Sequence, residues 1–267
     1  MKVTLIQRNV TEDKEGNLRR SVDLVRAAVA ADQPDLVILP EMSAFMSGNP
    51  AKKKSGAETL DGTFATTFAA LAAELSVNID LGSVVEDRDG RYYNTSVVFG
   101  RDGRPLGQYS KIHRFDVTLP NGTEVRESAL VEAGSDVVVV DVDGIPTGFA
   151  ICYDLRFGEL FRKLAEEGAR LIIMPSAFLQ ATGMDHWEVL IRARAIETQC
   201  YMAAPNQIGV IDGGTHTMFG HSMIVDPWGQ VIAQMSNRDG YVSAMLDMDY
   251  LQTCRQRIPV HKHRVLV

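Results

Sequence analysis

Short apolar runs alternate along the chain with amphipathic, helically spaced stretches, and that alternation predicts an α/β layered fold. Met1–Gln7 is a short apolar run that reads as a strand. Leu18, Val22, Val25 and Val29 follow at spacings of four, three and four, which place one stripe on a helix. Asp35–Pro40 is a second buried strand closed by proline, and Phe64, Phe68, Leu71 and Leu75 restore the helical spacing. The pattern then changes. Residues 79–86, 93–100 and 105–110 read as strands, separated by Asp89-Gly90 and Asp102-Gly103, dipeptides suited to tight hairpin turns. Val137–Val142 and Thr147–Cys152 form another predicted pair around Asp143-Gly144. Glu159–Glu167 reads as a helix closed by Gly168, Leu171–Pro175 as a strand, and Asp185–Gln199 as a long helix that Asp185 can cap. Short strands resume over 201–247, with Asp226-Pro227-Trp228-Gly229 as a turn, and a last helix is expected around Cys254.

Helix–strand alternation interrupted by hairpins implies mixed sheets covered by helices. No Ser/Gly/Pro-rich linker divides the chain, so residues 1–267 are expected to form a single domain. One internal echo stands out. Pro34-Asp-Leu-Val-Ile-Leu-Pro-Glu-Met-Ser-Ala-Phe45 resembles Ala169-Arg-Leu-Ile-Ile-Met-Pro-Ser-Ala-Phe178, and each segment follows a helix and ends a buried strand in proline. A chance likeness of two buried strands would look the same. A two-fold related pair of half-sheets would also bring two strand ends to one site, where α/β folds place their chemistry.

Composition narrows the function classes. The 267 residues are 45% hydrophobic and 23% charged, which excludes a disordered chain. A net charge of −7 argues against nucleic acid or an anionic membrane as the partner. The longest apolar runs, such as Leu36 to Pro40, fall far short of the ~20 residues a membrane-spanning helix needs. Arg8 and Asn9 interrupt the start where a signal peptide needs a continuous apolar run. Three cysteines, Cys152, Cys200 and Cys254, fit a reducing compartment better than a disulfide framework, so the expected setting is the cytoplasm.

Four residues could carry chemistry together. Cys152 ends an apolar run and precedes the polar Tyr153-Asp154-Leu155-Arg156-Phe157, which places its thiol at a strand–helix turn. Glu41 follows a buried strand directly, Lys111 follows another, and Glu127 lies in Val125-Arg-Glu-Ser-Ala-Leu130. Singly, each has an ordinary reading: a packed free thiol, a loop carboxylate, a solvated lysine, a surface charge. As a set they suffice for thiol-based acyl transfer, with a carboxylate to take the thiol proton and an ammonium to stabilise an oxyanion.

Leu39-Pro-Glu41, Lys111-Ile-His-Arg-Phe115 and Ile151-Cys-Tyr-Asp-Leu-Arg-Phe157 resemble the three ordered motifs of the nitrilase, or carbon–nitrogen hydrolase, superfamily, and the resemblance covers essentially the whole chain. His186–Tyr201, Gly220–Gly229 and Pro259–Arg264 look most like the branch of deaminated-glutathione amidases and omega-amidases. The resemblance implies Glu41 as general base, Lys111 as oxyanion-stabilising cation, Cys152 as nucleophile and Glu127 as the second glutamate beside the lysine. It implies an oxyanion hole completed by the backbone N–H of Tyr153. It also implies a four-layer α-β-β-α sandwich with two mixed sheets that dimerises, matching the internal echo. Gly158 stands where relatives often have proline, which is expected to loosen that helix start. Arg114 stands where many carry leucine, and lining the pocket it would favour an anionic substrate.

Other signals point away from competing chemistries. Lys52-Lys53-Lys54 lacks the glycine of a phosphate loop and reads as a solvated loop near the site mouth. No G-x-S-x-G elbow exists, and no Cys or His spacing forms a zinc set, so neither metal nor cofactor is expected. Phe178 and Thr182 are expected to line the pocket, while Cys200, Cys254, Trp187, Val189, Leu190 and Ala193 read as packing residues. The leading reading is a cysteine amidase that releases ammonia from a small linear amide through a thioester, probed best with deaminated glutathione and omega-amides of keto acids. An N-carbamoyl-amide hydrolase, a nitrilase and a catalytically silent dimeric partner are the alternatives. Arg114, Arg156 and Arg192 are the candidates for meeting a substrate carboxylate.

Overall fold

The computed structural model describes residues 1–118, 122, 124–211, 213 and 216–265. In the first half, β1 (Lys2–Gln7), α1 (Lys14–Asp32), β2 (Leu36–Ile38), α2 (Thr63–Leu75) and β3 (Asn78–Asp80) lay down three parallel strands joined by helices. β4 (Val84–Arg88), β5 (Arg91–Phe99) and β6 (Pro105–Ser110) extend the sheet antiparallel, and β7 (Asp116–Thr118) pairs with β8 (Glu124–Arg126) in a small separate ribbon. The second half contains β9 (Val139–Val142), β10 (Ile145–Phe149), α3 (Gly158–Glu166), β11 (Leu171–Ile173), α4 (Gln180–Thr198) and β12 (Tyr201–Ala204). It continues through β13 (Ile208–Val210), β14 (Thr217–Phe219), β15 (Met223–Val225), β16 (Val231–Gln234), β17 (Gly240–Met245), α5 (Met248–Arg257) and α6 (Val260–His263).

The two halves repeat one another. β10, β11 and β12 run parallel and are joined by α3 and α4, as β1, β2 and β3 are by α1 and α2. Each trio carries an antiparallel strand on both sides: β17 and β5 in the first sheet, β9 and β15 in the second. The strand orders are β17-β1-β2-β3-β5-β4, with β6 on β5, and β16-β15-β12-β11-β10-β9.

Alternation along the buried strands builds the layers. Leu5 and Ile38 face a core shared with Phe149, Ile173 and Ala203 of the second sheet, whereas Ile6, Val37 and Ile79 face Val25, Phe64, Phe68 and Leu71 on α1 and α2. Leu160, Phe161 and Leu164 of α3 and Trp187 and Ile191 of α4 cover the other side of the second sheet. The result is the expected α-β-β-α sandwich.

Several boundaries differ from those read in the sequence. The strand expected over 79–86 is two strands, because Gly82 turns the chain between them at a φ of +76°. The strand expected to end at Cys152 stops at Phe149. The long helix begins at Gln180, where Thr182 and Gly183 already donate to the Leu179 carbonyl, so Asp185 lies inside it and caps nothing. α3 does start at Gly158, and Arg194 braces that start by donating to the Leu155 carbonyl at 3.0 Å. Asp212, Gly214 and Thr215, within the stretch read as strands, lie outside the described residues.

Candidate active site

Each of the residues Glu41, Lys111 and Cys152 follows the end of a strand in the layer between the sheets. Glu41 sits in the loop after β2, and that loop is shaped from below. Gly82 approaches so closely that a Cβ there would lie 1.9 Å from the Pro40 carbonyl oxygen. Ser83 accepts from the Met42 N–H at 3.0 Å and its carbonyl accepts from the Ser43 N–H at 2.8 Å. Gln207 donates to the Glu41 carbonyl at 2.7 Å. Cys152 opens a turn of 3-10 helix, Cys152–Arg156, with its own φ at +44°, a conformation rare for a residue with a side chain. Asp154, fully buried, fixes that turn: its carboxylate accepts from the Ile151 N–H, the Tyr109 hydroxyl and the His113 N–H at 2.7–3.0 Å. It thereby ties the cysteine turn to the segment after β6 that carries Lys111.

The charged groups form one cluster. The Lys111 ammonium, 2% exposed, donates to Glu41 Oε1 at 2.9 Å and to Glu127 Oε2 at 2.9 Å. Asn94 Nδ2 donates to the same two carboxylates, at 2.9 Å to Glu41 and 3.1 Å to Glu127. The Phe115 N–H donates to Glu127 Oε2 at 2.6 Å. Glu41 Oε2 accepts from the Ala177 N–H at 2.8 Å, and both that N–H and the Glu41 carboxylate are within hydrogen-bonding reach of the Cys152 thiol. Burial pushes the Cys152 thiol well up, the Glu41 carboxylate adds to this, and the Lys111 ammonium only partly opposes it. The thiol is therefore held in its protonated form beside the Glu41 carboxylate. Burial alone would push Lys111 down, but the carboxylates of Glu127 and Glu41 override it and hold its ammonium well above the ordinary lysine range.

This cluster forms the floor of a pocket of ≈ 810 Å³, open mouth included. Tyr153, Phe178 and Thr182 line it, as expected, together with Phe115, Met42, Phe45, Leu130 and Leu179. The Tyr153 ring meets those of Phe115 and Phe157 edge-on, at centroid distances of 5.0 and 5.4 Å. Two cations also line the walls. Arg156 lies 5.3 Å over the Phe178 ring, and Lys53 comes from the lysine run. Its neighbours are engaged elsewhere, Lys52 with Glu12 at 2.6 Å and Lys54 over the Tyr92 ring. Arg114 does not line the pocket, which corrects the expectation for it. Phe115 is pinned to Glu127 by its N–H and to Tyr153 by its ring, which leaves Arg114 among the charges around Asp116. Arg192 is also elsewhere, donating to the Gly229 carbonyl at 2.8 Å. No metal-binding cluster of His, Cys, Asp or Glu exists among the described residues.

The family profile of the carbon–nitrogen hydrolases matches residues 2–256. The chain belongs to the carbon–nitrogen hydrolase family. As such it is an enzyme that acts on non-peptide carbon–nitrogen bonds. It is 36% identical over 275 residues to the deaminated glutathione amidase of Dictyostelium discoideum, covering 99% of this chain and 94% of that one. It is 35% identical over 263 residues to an omega-amidase of Xenopus laevis, covering 98% and 94%. The NitFhit protein of C. elegans superposes with a TM-score of 0.91 at 33% identity over 98% of this chain; the chain spans 64% of that longer protein.

The site of this carbon–nitrogen hydrolase also contains residues that the motifs do not single out. Asn94 is buried on β5 beside Thr95 and Ser96, and a run of three polar residues inside a predicted strand is the signal that could have found it. Gln207 follows a buried strand. Ala177 contributes only backbone and leaves no mark in the sequence.

Proposed function

We propose that this carbon–nitrogen hydrolase cleaves a small linear amide with a carboxylate on its acyl side, of the kind represented by deaminated glutathione and the omega-amides of keto acids. The observation that carries the reading is the contact of a protonated thiol with Glu41 while Lys111 and Glu127 complete the charge cluster, with Arg156 on the wall of the same pocket. In this reading the Cys152 proton passes to Glu41 as sulfur bonds to the amide carbonyl carbon. The Lys111 ammonium and the Tyr153 N–H stabilise the resulting oxyanion. Glu41 returns the proton to the leaving nitrogen as the C–N bond breaks, leaving a thioester. Glu41 then takes a proton from water, whose oxygen attacks the thioester, and the acid and the thiol are released. Tyr153-Asp154 after the cysteine supports amides over nitriles by resemblance. Arg156 meets the acyl-side carboxylate, and Lys53 adds to the attraction for anions.

Residues 1–267 act as one catalytic unit in a homodimer, and dependence on a reduced Cys152 suits a cytoplasmic setting. No helix among the described residues is long and apolar enough to cross a membrane.

A panel of deaminated glutathione, alpha-ketoglutaramate, N-carbamoyl amino acids and aliphatic nitriles, assayed by product release, tests the substrate class. The keto-acid amides should turn over fastest. Cys152→Ala should abolish both turnover and thioester capture seen by mass spectrometry while leaving the fold intact. Arg156→Met should lower kcat/KM for anionic amides roughly 10- to 100-fold, the worth of a charge-assisted hydrogen bond, and spare neutral ones. Turnover retained without Cys152, or preference for nitriles, would overturn the reading.

A further inference from the structure

Among the groups around the pocket, Asn94 stands apart because its side chain bonds both carboxylates of the floor. Its side-chain NH2 spans Glu41 Oε1 and Glu127 Oε1, at 2.9 and 3.1 Å, while its backbone carbonyl accepts from the Lys111 backbone N–H at 2.8 Å. It is fully buried on β5, opposite Val85 of β4. The side-chain oxygen Oδ1 is buried with no partner, so this rotamer is held by the two carboxylates and not by the oxygen. The flipped amide would set its oxygen against both of them.

We propose that Asn94 is the positioning residue that divides the labour of the Glu41 carboxylate. Asn94 and Lys111 occupy Oε1. That leaves Oε2, which accepts from the Ala177 N–H at 2.8 Å, as the oxygen that exchanges the proton with Cys152. A carboxylate free to rotate would offer either oxygen, and its proton would spend time away from the sulfur and the leaving nitrogen. By bridging to Glu127, Asn94 also keeps two like charges at a fixed separation on one ammonium. The inference rests on Glu41 and Cys152 acting as base and nucleophile.

The groups facing the carboxylate pair are Lys111 and Cys152 in contact, with Tyr153, Arg156 and Lys53 along the walls. Glu86 of β4 turns away, to Arg88 and Thr95. The test is the pH dependence of Cys152 alkylation by iodoacetamide, which needs no substrate, measured beside kcat and KM for amide hydrolysis. Asn94→Leu removes both donors at similar volume and Asn94→Asp replaces them with another acid. Hydrogen bonds to a carboxylate favour its charged form, so losing them should move the acid limb of the alkylation profile up by about one pH unit in Asn94→Leu. Asn94→Asp should move it further the same way, because a like charge is added. In both variants kcat should fall on the order of 10²-fold, the usual cost of a misplaced catalytic group, with KM changed less than about 3-fold. If Asn94→Leu does not fold, Asn94→Asp, which keeps the shape, decides alone. An unmoved limb, or a loss uniform across pH and proportional to the unfolded fraction, overturns the proposal. An enzyme that hydrolyses amides without Cys152 overturns instead the reading on which it rests.

Discussion

At Lys111 the proposed part in catalysis and a part in stability meet in one side chain. Its ammonium lies between two carboxylates whose side chains are 5% and 10% exposed, so it offsets charges that could not otherwise be buried together. Lys111→Met should therefore do two things. It should lower kcat by about 10²–10³, as expected for losing an oxyanion donor. It should also cost about 3–5 kcal/mol of stability where both carboxylates remain ionised. In the variant, one carboxylate would hold a proton more tightly in the folded than in the unfolded chain, so stability should be greatest in acid and fall as pH rises. Thermal melts between pH 5 and pH 8 beside turnover check this, and a pH-independent loss with kcat changed less than about tenfold would refute it. Glu41, Lys111 and Cys152 were legible in the sequence because charged or nucleophilic side chains directly after apolar runs are costly without a purpose. Asn94, in a strand, and Gln207, just after one, are harder to single out, since an uncharged amide can be buried at less cost than a charge. Arg156 could be ranked over Arg114 and Arg192 only with the turn geometry in view.

At the scale of elements, the end of β3 supports the loop that carries Glu41. Asp80 is fully buried there, and one carboxylate oxygen accepts from the Gly82 N–H at 3.0 Å and the Ser96 hydroxyl at 2.8 Å, while the other has no partner. Burial pushes this carboxyl well above its ordinary 3.8, and its two hydrogen bonds only partly offset that, so the native group is protonated where the unfolded chain ionises. Above about pH 4 the unfolded state thus releases a proton that the native state keeps, and stability falls with each pH step until the native group also ionises. Asp80→Asn keeps the shape and both acceptor contacts and has no proton to lose. Its stability should match the wild type near pH 4 and exceed it increasingly toward pH 8, read as unfolding midpoints in urea; equal midpoints throughout would refute the assignment. The strands themselves were legible from short apolar runs and Asp-Gly turns. Their ends were not, because Gly82 and the Cys152 turn depart from the pattern through tertiary contacts: the carbonyl of Pro40 above Gly82 and the carboxylate of Asp154 below Cys152.

The whole molecule explains why the repeated segments sit where they do. The loop after β2 supplies Glu41 and the loop after β11 supplies the Ala177 N–H, so the bond between them, 136 residues apart in sequence, joins the two halves at the pocket floor. The same second half presents α4, whose Thr182 lines the pocket and whose Trp187, Ile191 and Ala195 are buried against the sheet. Its outer side carries Glu188, Arg192 and Glu197 but also two apolar residues, Ile196, 51% exposed, and Val189, 65% exposed, which corrects the reading of Val189 as a packing residue. Trp228 extends this surface from the neighbouring turn, where Arg192 bonds Gly229, and Ile258 extends it beyond the end of α4, where Gln199 bonds the Ile258 carbonyl at 2.8 Å. A helix that faces water on one side normally carries polar residues there, and contiguous exposed apolar surface marks an interface. A second copy of the chain is the partner proposed for it, since symmetric pairing covers the same patch on both protomers at once. Light scattering at micromolar concentration should give twice the chain mass, and the double variant Val189→Glu, Ile196→Glu should give the chain mass alone, because four carboxylates would then meet across the two-fold axis. Both positions lie away from the pocket lining, so the monomer should keep Cys152 alkylation while its thermal midpoint drops and becomes independent of concentration. A wild-type monomer, or a dimer undisturbed by the added charges, would place the pairing surface elsewhere or remove it.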